Sequence, residues 1–218
     1  MYIRKAGYEF IDAPSYKDAI EKIEHIGRVC YKSENLISEG TAETFVRNLI
    51  KRGHESVIEH VEVSVRFICD RGVSHEIVRH RIASYAQEST RYCNYTKDKY
   101  SNQITYIDIS TAFNYDANSN VDMNKYKIWE NAMKEAEKSY FKLIQLGASP
   151  QEARSVLPNS LKTEIVATLN FRGWRNFFKL RAAKGAHPQM RELACSLLCD
   201  FIEKYPVLFE DLKDLTKF

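Results

Sequence analysis

Arg79, His80 and Arg81 stand in a row, and after seven intervening residues come Ser89, Thr90, Arg91 and Tyr92. Guanidinium groups present forked donors that match phosphate and pyrophosphate oxygens. Ser and Thr hydroxyls, with loop N–H groups, supply neutral donors for the same oxygens. Gln87 and Glu88 add an amide and a carboxylate just before the Ser. So dense a set of anion-seeking groups suits a phosphorylated small molecule. A solvated basic surface loop would carry the same residue types, so the block alone leaves both readings open. Ser89 acting as a nucleophile would need an adjacent base. His80 is nine residues away with no sign of proximity, and phosphate binding is the preferred role for Ser89.

Three further segments carry candidate chemistry. His54-Glu55-Ser56-Val57-Ile58-Glu59-His60 invites a metal reading, but its two histidines are six apart. A zinc helix needs them four apart on one face, so a turn leading into a strand is preferred. Arg154-Ser155-Val156-Leu157-Pro158 places an arginine in a short helix stopped by proline, where a solvated charge is the ordinary role. Asn170, Arg172, Asn176 and Arg181 punctuate an aromatic stretch in which Trp174, Phe177 and Phe178 have the helical spacing of core residues.

The block Arg79 to Tyr92 resembles the signature of the flavin-dependent thymidylate synthases: Arg-His-Arg, seven residues, then Ser-x-Arg-Tyr, with Ser84 matching inside the spacer. Ala86 stands where that family often has Asn, so any polar contact from that side chain is missing. Gly53-His54-Glu55-Ser56, Ala153-Arg154-x-x-Leu157-Pro158 and Asn170-x-Arg172-x-x-x-Asn176-Phe177 resemble further elements of the family, in its order. The resemblance spans Gly53 to Gln189. It implies reductive methylation of dUMP to dTMP, with methylenetetrahydrofolate as carbon donor and NADPH as reductant through FAD. It assigns Glu76, Arg79, Gln87, Glu88, Ser89, Thr90, Arg91, Arg154 and Arg181 to dUMP, Arg181 being the catalytic cation beside the uracil ring. It assigns His54, Ser56, Arg79, His80, Arg81, Gln87, Asn170, Arg172, Asn176 and His187 to FAD. It also implies a homotetramer with sites shared between subunits.

The elements that must position these residues follow from apolar spacing and caps. Helices are predicted from Ser15 to Val29, with Ser15 as cap, and from Thr41 to Arg52, with Thr41 as cap and Gly53 as terminator. Alternation from Val61 to Phe67 predicts a strand. Gly72 then opens a short helix, Val73 to about Arg81, that carries Arg-His-Arg. A strand over Ile104 to Ile109, a helix over Asn124 to Leu146 closed by Gly147, and a helix started by Ser149-Pro150 come next. Thr163 to Leu169 reads as a strand, and helices over Gly173 to Ala183 and Pro188 to Lys204 complete the chain. Strands and helices intermix without regular alternation, so the expected class is α+β: an antiparallel or mixed sheet flanked by helices. No linker or repeat interrupts residues 1–218, which read as one domain.

With 218 residues and 44% hydrophobic content, the chain can bury a sizeable core. A net charge of +3 allows anion binding and is small for a nucleic-acid coat protein. The competing reading is a single-stranded nucleic-acid module built on the tyrosine-rich basic run Arg79 to Tyr100. The abundant acidic residues weigh against it. Five cysteines (Cys30, Cys69, Cys93, Cys195 and Cys199) form no Cys-x-x-Cys pair. None has a recognisable active-site context, which disfavours a thiolate mechanism. Cys195 and Cys199 are read as core packing on one helix face. With no secretory signal at Met1-Tyr2-Ile3-Arg4-Lys5 and no long apolar run, a soluble cytoplasmic protein without metal is expected.

Overall fold

A computed structural model describes residues 1–97 and 102–217. The end of the tyrosine-rich run, Asp98 to Ser101, lies outside the described residues. The elements in chain order are β1 (Tyr2–Arg4), β2 (Gly7–Asp12), α1 (Tyr16–Val29), α2 (Thr41–Lys51), β3 (Glu62–Asp70), α3 (Arg71–Ile77), β4 (Ser84–Gln87) and β5 (Thr105–Ile107). They continue with α4 (Asn120–Gln145), α5 (Pro150–Ala153), β6 (Lys162–Asn170), α6 (Phe171–Arg181), α7 (Pro188–Lys204) and α8 (Pro206–Phe209). The expected α+β class holds: an antiparallel sheet with strand order β2-β3-β6-β4 is flanked by helices. β1 and β5 form a separate parallel pair, with Ile3 opposite Tyr106.

The chain divides into two compact units. One comprises Met1–Gly7, Phe67–Arg79 and Ala86–Val166; the other comprises Tyr8–Arg66, His80–Tyr85 and Ala167–Phe218. In the first, the core gathers Tyr95, Ile104, Tyr106, Met133, Tyr140, Ala153 and Leu161, with Trp129 and Phe141 packed against it. The second is built on aromatic rings. Trp174, Phe177 and Phe178 of α6 are buried among Phe171, Phe201, Tyr205 and Phe209. Burying rings of this size supplies most of the apolar area that holds a helix in place. The Trp174 indole N–H donates to the Val63 carbonyl at 3.0 Å, satisfying its one polar atom. The core role expected for these three rings is met.

Helix boundaries follow their caps. Ser15 accepts from the Asp18 N–H, as expected. Thr41 is not the cap of α2: Gly40, at φ 83°, occupies that position, and the Thr41 hydroxyl instead bonds Glu24 and the Ser38 carbonyl. At the other end Gly53, at φ 70°, lets its own N–H reach the Ile50 carbonyl and the His54 N–H reach Leu49. That pairing closes orphaned carbonyls in a left-handed turn only glycine enters easily.

α3 departs from expectation at both ends. The Asp70 carboxylate accepts from the Val73 N–H at 2.7 Å, so the helix starts at Arg71 rather than Val73. It stops at Ile77, which leaves Arg79, His80 and Arg81 beyond the helix and not on it. In the same way Ser119 caps α4, starting it four residues before Asn124. The Asn170 side chain caps α6 through Gly173 at 2.8 Å, starting it two residues before Gly173. β1, β2, β4 and the short helical turns after Tyr205 were not expected from the sequence. Cys195 is buried while Cys199 is exposed, so the two do not share one packed face.

Candidate active site

Two side-chain clusters contain most of the candidate residues, one in each unit. In the first unit, β4 runs straight into the loop of Ser89 to Tyr92, and β6 anchors that junction. Gln87, half-buried, donates its amide N–H to Ser74 Oγ at 2.8 Å and to Thr163 Oγ1 at 3.3 Å. The Glu88 carboxylate pairs with Lys162 at 3.1 Å, and its backbone N–H donates to the Glu164 carbonyl at 2.8 Å. Arg71 donates to the Glu88 carbonyl at 3.4 Å. The loop beyond is thereby fixed at its base. Ser89 Oγ accepts from the Arg91 N–H, and the Ser89 carbonyl accepts from the N–H groups of Tyr92 and Cys93.

That loop is clasped to the turn at α5. Arg154 Nη1 donates to Thr90 Oγ1 at 3.1 Å, and Arg91 Nε donates to Gln151 Oε1 at 3.0 Å. Ser149 and Pro150 start this turn as the sequence suggests, with the Ser149 hydroxyl accepting from the Glu152 N–H. A three-residue 3-10 turn, Arg154–Val156, then leads to Pro158. Two guanidiniums separated by 62 intervening positions thus lie on facing segments, both exposed and each with donors left over. Glu76 is half-buried on α3 and Arg79 is exposed just past its end.

In the second unit Glu55 joins the two segments that resemble flavin elements. Its carboxylate meets Arg175 at 2.9 Å, Lys179 at 3.6 Å and Arg172 at 3.9 Å, three cations on one face of α6. Arg175 is buried and also holds Asp211 through a two-pronged pair, which compensates its desolvation. Arg172, half-exposed, pairs with Glu59 as well. His54, Ser56, Arg81, Asn176 and His187 are exposed. The His54 ring meets the Tyr31 hydroxyl at 3.3 Å, beside a cavity of about 280 Å³ walled by Phe45, Asn48, Arg28 and Arg52.

His80 and Arg181 form a pair. Arg181 Nε donates to His80 Nε2 at 3.0 Å, and the imidazole is 7% exposed, tilted against Phe177 at 5.0 Å between centroids. The Tyr85 hydroxyl donates to the His80 carbonyl at 2.7 Å. Burial, reinforced by the Arg181 charge, pushes the His80 pKa down to about 4. His80 is therefore neutral at pH 7. Its Nε2 lone pair is occupied, which leaves it unsuited to activate Ser89.

Sequence reasoning did not single out Lys162, Thr163, Ser74, Gln151 or Tyr85, and it quoted Glu55 without a role. Lys162, Thr163, Ser74 and Gln151 come from other segments and carry no motif of their own, while Tyr85 lies inside the block at a position without a motif role. Only the run Gln87-Glu88 beside β6, and the three α6 cations opposite one acid, could have pointed to them.

A family profile described as "Thymidylate synthase complementing protein" matches residues 13–207. A protein of Sulfurisphaera tokodaii named flavin-dependent thymidylate synthase is 35% identical over 81% of this chain and 64% of its own length. One of Geobacter sulfurreducens with the same name is 30% identical over 84% of this chain and 78% of its own. The crystal structure of a UMP/dUMP methylase, PolB from Streptomyces cacaoi, bound with 5-Br dUMP, superposes with a TM-score of 0.78 over 98% of this chain and 97% of that one, at 22% identity. At that identity the likeness speaks for the fold. Taken with the signature block and its ordered companions, these matches place the chain in the thymidylate synthase complementing protein family, the flavin-dependent thymidylate synthases.

Proposed function

We propose that the chain catalyses reductive methylation of dUMP to dTMP, with methylenetetrahydrofolate as carbon donor and NADPH as reductant through FAD. The observation that carries this reading is the clasp between the Ser89–Tyr92 loop and the Arg154 turn. It gathers two guanidiniums and a serine from separate family elements in one place. A nucleoside monophosphate is a dianion at neutral pH, and each charge-assisted bond to it contributes roughly 1.5–3 kcal/mol. Arg91, Arg154 and Ser89 take the phosphate in this reading, with Thr90 holding Arg154 in place. Glu76, Arg79, Gln87 and Glu88 complete the nucleotide set, Gln87 and Glu88 by anchoring the loop.

Arg181 is assigned to the uracil ring. A fixed cation beside the ring amide favours its anionic form and so enriches ring carbon 5, which must accept the one-carbon unit. The donor chemistry of His54, Ser56, Arg81, Asn170, Arg172, Asn176 and His187 suits a flavin nucleotide: guanidinium, amide, imidazole and hydroxyl groups match a ligand that carries a pyrophosphate. The Asn170 oxygen is used as the α6 cap, which leaves its amide N–H groups for that ligand. When bound, the flavin supplies the electron transfer, and the protein supplies orientation and charge. One domain, a homotetramer with sites shared between subunits, and a cytoplasmic location complete the reading. No helix among the described residues is long and apolar enough to cross a membrane.

The test is the visible spectrum of the purified protein with titration of a single-stranded oligonucleotide. Stoichiometric flavin absorbance and negligible oligonucleotide affinity are expected. Colourless protein with oligonucleotide affinity falling steeply with salt would favour the nucleic-acid module instead.

A further inference from the structure

Among the residues of the Arg-His-Arg block, His80 alone is turned into the core. Three contacts hold it: the Phe177 ring against its face, the Tyr85 hydroxyl on its carbonyl, and Arg181 Nε on its Nε2. A guanidinium Nε always carries its hydrogen, so at 3.0 Å the Nε2 atom must be the acceptor. The imidazole is then neutral with its proton on Nδ1. Arg181 sits in the last turn of α6, four residues after Phe177 and on the same face. Helix packing fixes where its Cα lies. The bond at Nε fixes the plane of the guanidinium, and therefore the direction in which its Nη groups point.

We propose that His80 is a positioning residue for Arg181: by accepting at Nε2 it sets the guanidinium plane that meets the pyrimidine ring. This deepens the assignment above and rests on Arg181 being the group at that ring. Burial, with the Arg181 charge, keeps His80 unprotonated in the neutral range, so the acceptor is always available.

The experiment is a double-mutant cycle on the flavin-loaded enzyme, reading dTMP formation, NADPH-driven flavin reduction and flavin content. His80→Phe keeps a ring against Phe177 but no acceptor; His80→Gln keeps a side-chain acceptor. His80→Phe should lower dTMP formation about tenfold, one hydrogen bond's worth of orientation, with flavin content and reduction retained. His80→Gln should recover most of that loss. In an Arg181→Ala background, His80→Phe should change dTMP formation by no more than about twofold. Losses that multiply in the double variant would overturn the proposal alone, as would loss of flavin from His80→Phe. Near-normal turnover in Arg181→Ala would overturn the underlying assignment and the proposal with it. Histidine 15N NMR of the unaltered protein gives a reading free of folding effects. An unprotonated Nε2 and a protonated Nδ1 are expected across the neutral range, and the opposite tautomer would overturn the proposal.

Discussion

Arg91 and Arg154 each carry five N–H donors, and the protein uses one of each, at Gln151 and Thr90. The remainder can meet a phosphate. Arg154→Ala should raise the dUMP dissociation constant about tenfold, the loss of one charged contact, while Thr90 remains buried and the fold intact. Isothermal calorimetry showing unchanged affinity would remove Arg154 from the site. His80 makes a prediction in pH. Its folded pKa, about 4, lies below its ordinary value of 6.5, so between these values the unfolded chain binds more protons. Stability is complete above pH 6.5 and is lost as pH falls toward 4, by at most about 1.4 kcal/mol per unit. His80→Gln should flatten that part of the denaturation profile, and an unchanged profile would show that His80 is charged or exposed. At this scale the sequence was informative about identity and silent about partners. The family resemblance singled out Arg91, Arg154 and Arg181, but nothing local reveals that Arg181 meets an imidazole 101 positions away.

Among the elements, α6 and the turn before β3 illustrate what spacing can and cannot convey. Trp174, Phe177 and Phe178 announce a buried face by their helical period, and the structure buries all three. The polar face of the same helix says little until Glu55 is placed opposite Arg172, Arg175 and Lys179. Glu55→Ala leaves the buried Arg175 with Asp211 and the Leu208 carbonyl as its remaining partners. It should cost about 1–3 kcal/mol in urea unfolding and weaken flavin retention. Glu59→Ala, which breaks only the exposed pair with Arg172, should cost less than about 1 kcal/mol. Equal small effects from both would mean that Glu55 is an ordinary surface acid. Helix starts at Arg71 and Phe171 escaped the sequence reading for one reason. Spacing alone starts these helices at Val73, after Gly72, and at Gly173, whereas the caps are Asp70 and Asn170. β4 escaped because its four residues alternate between half-buried and exposed with no apolar run, so only pairing within the sheet makes it a strand.

For the whole molecule, the antiparallel sheet flanked by helices follows from the mixed order of strands and helices. The division into two units does not, because the chain passes from one to the other within β2, β3, β4 and β6 and again after α3. No composition shift marks those crossings, and the family match itself runs through both units, from 13 to 207. Family membership was readable from one block and three spaced companions, since their order along the chain constrains them jointly. The central claim concerns chemistry. The direct measurement is dTMP formed from dUMP by the flavin-loaded protein when methylenetetrahydrofolate and NADPH are supplied, beside reactions lacking each component. The account predicts product that requires dUMP, the folate and the reductant, persists when each of the five cysteines is singly changed to Ala, and falls sharply in Arg181→Ala. Protein that retains flavin and binds dUMP yet forms no dTMP, or whose product formation stops with the loss of one cysteine thiol, would contradict it.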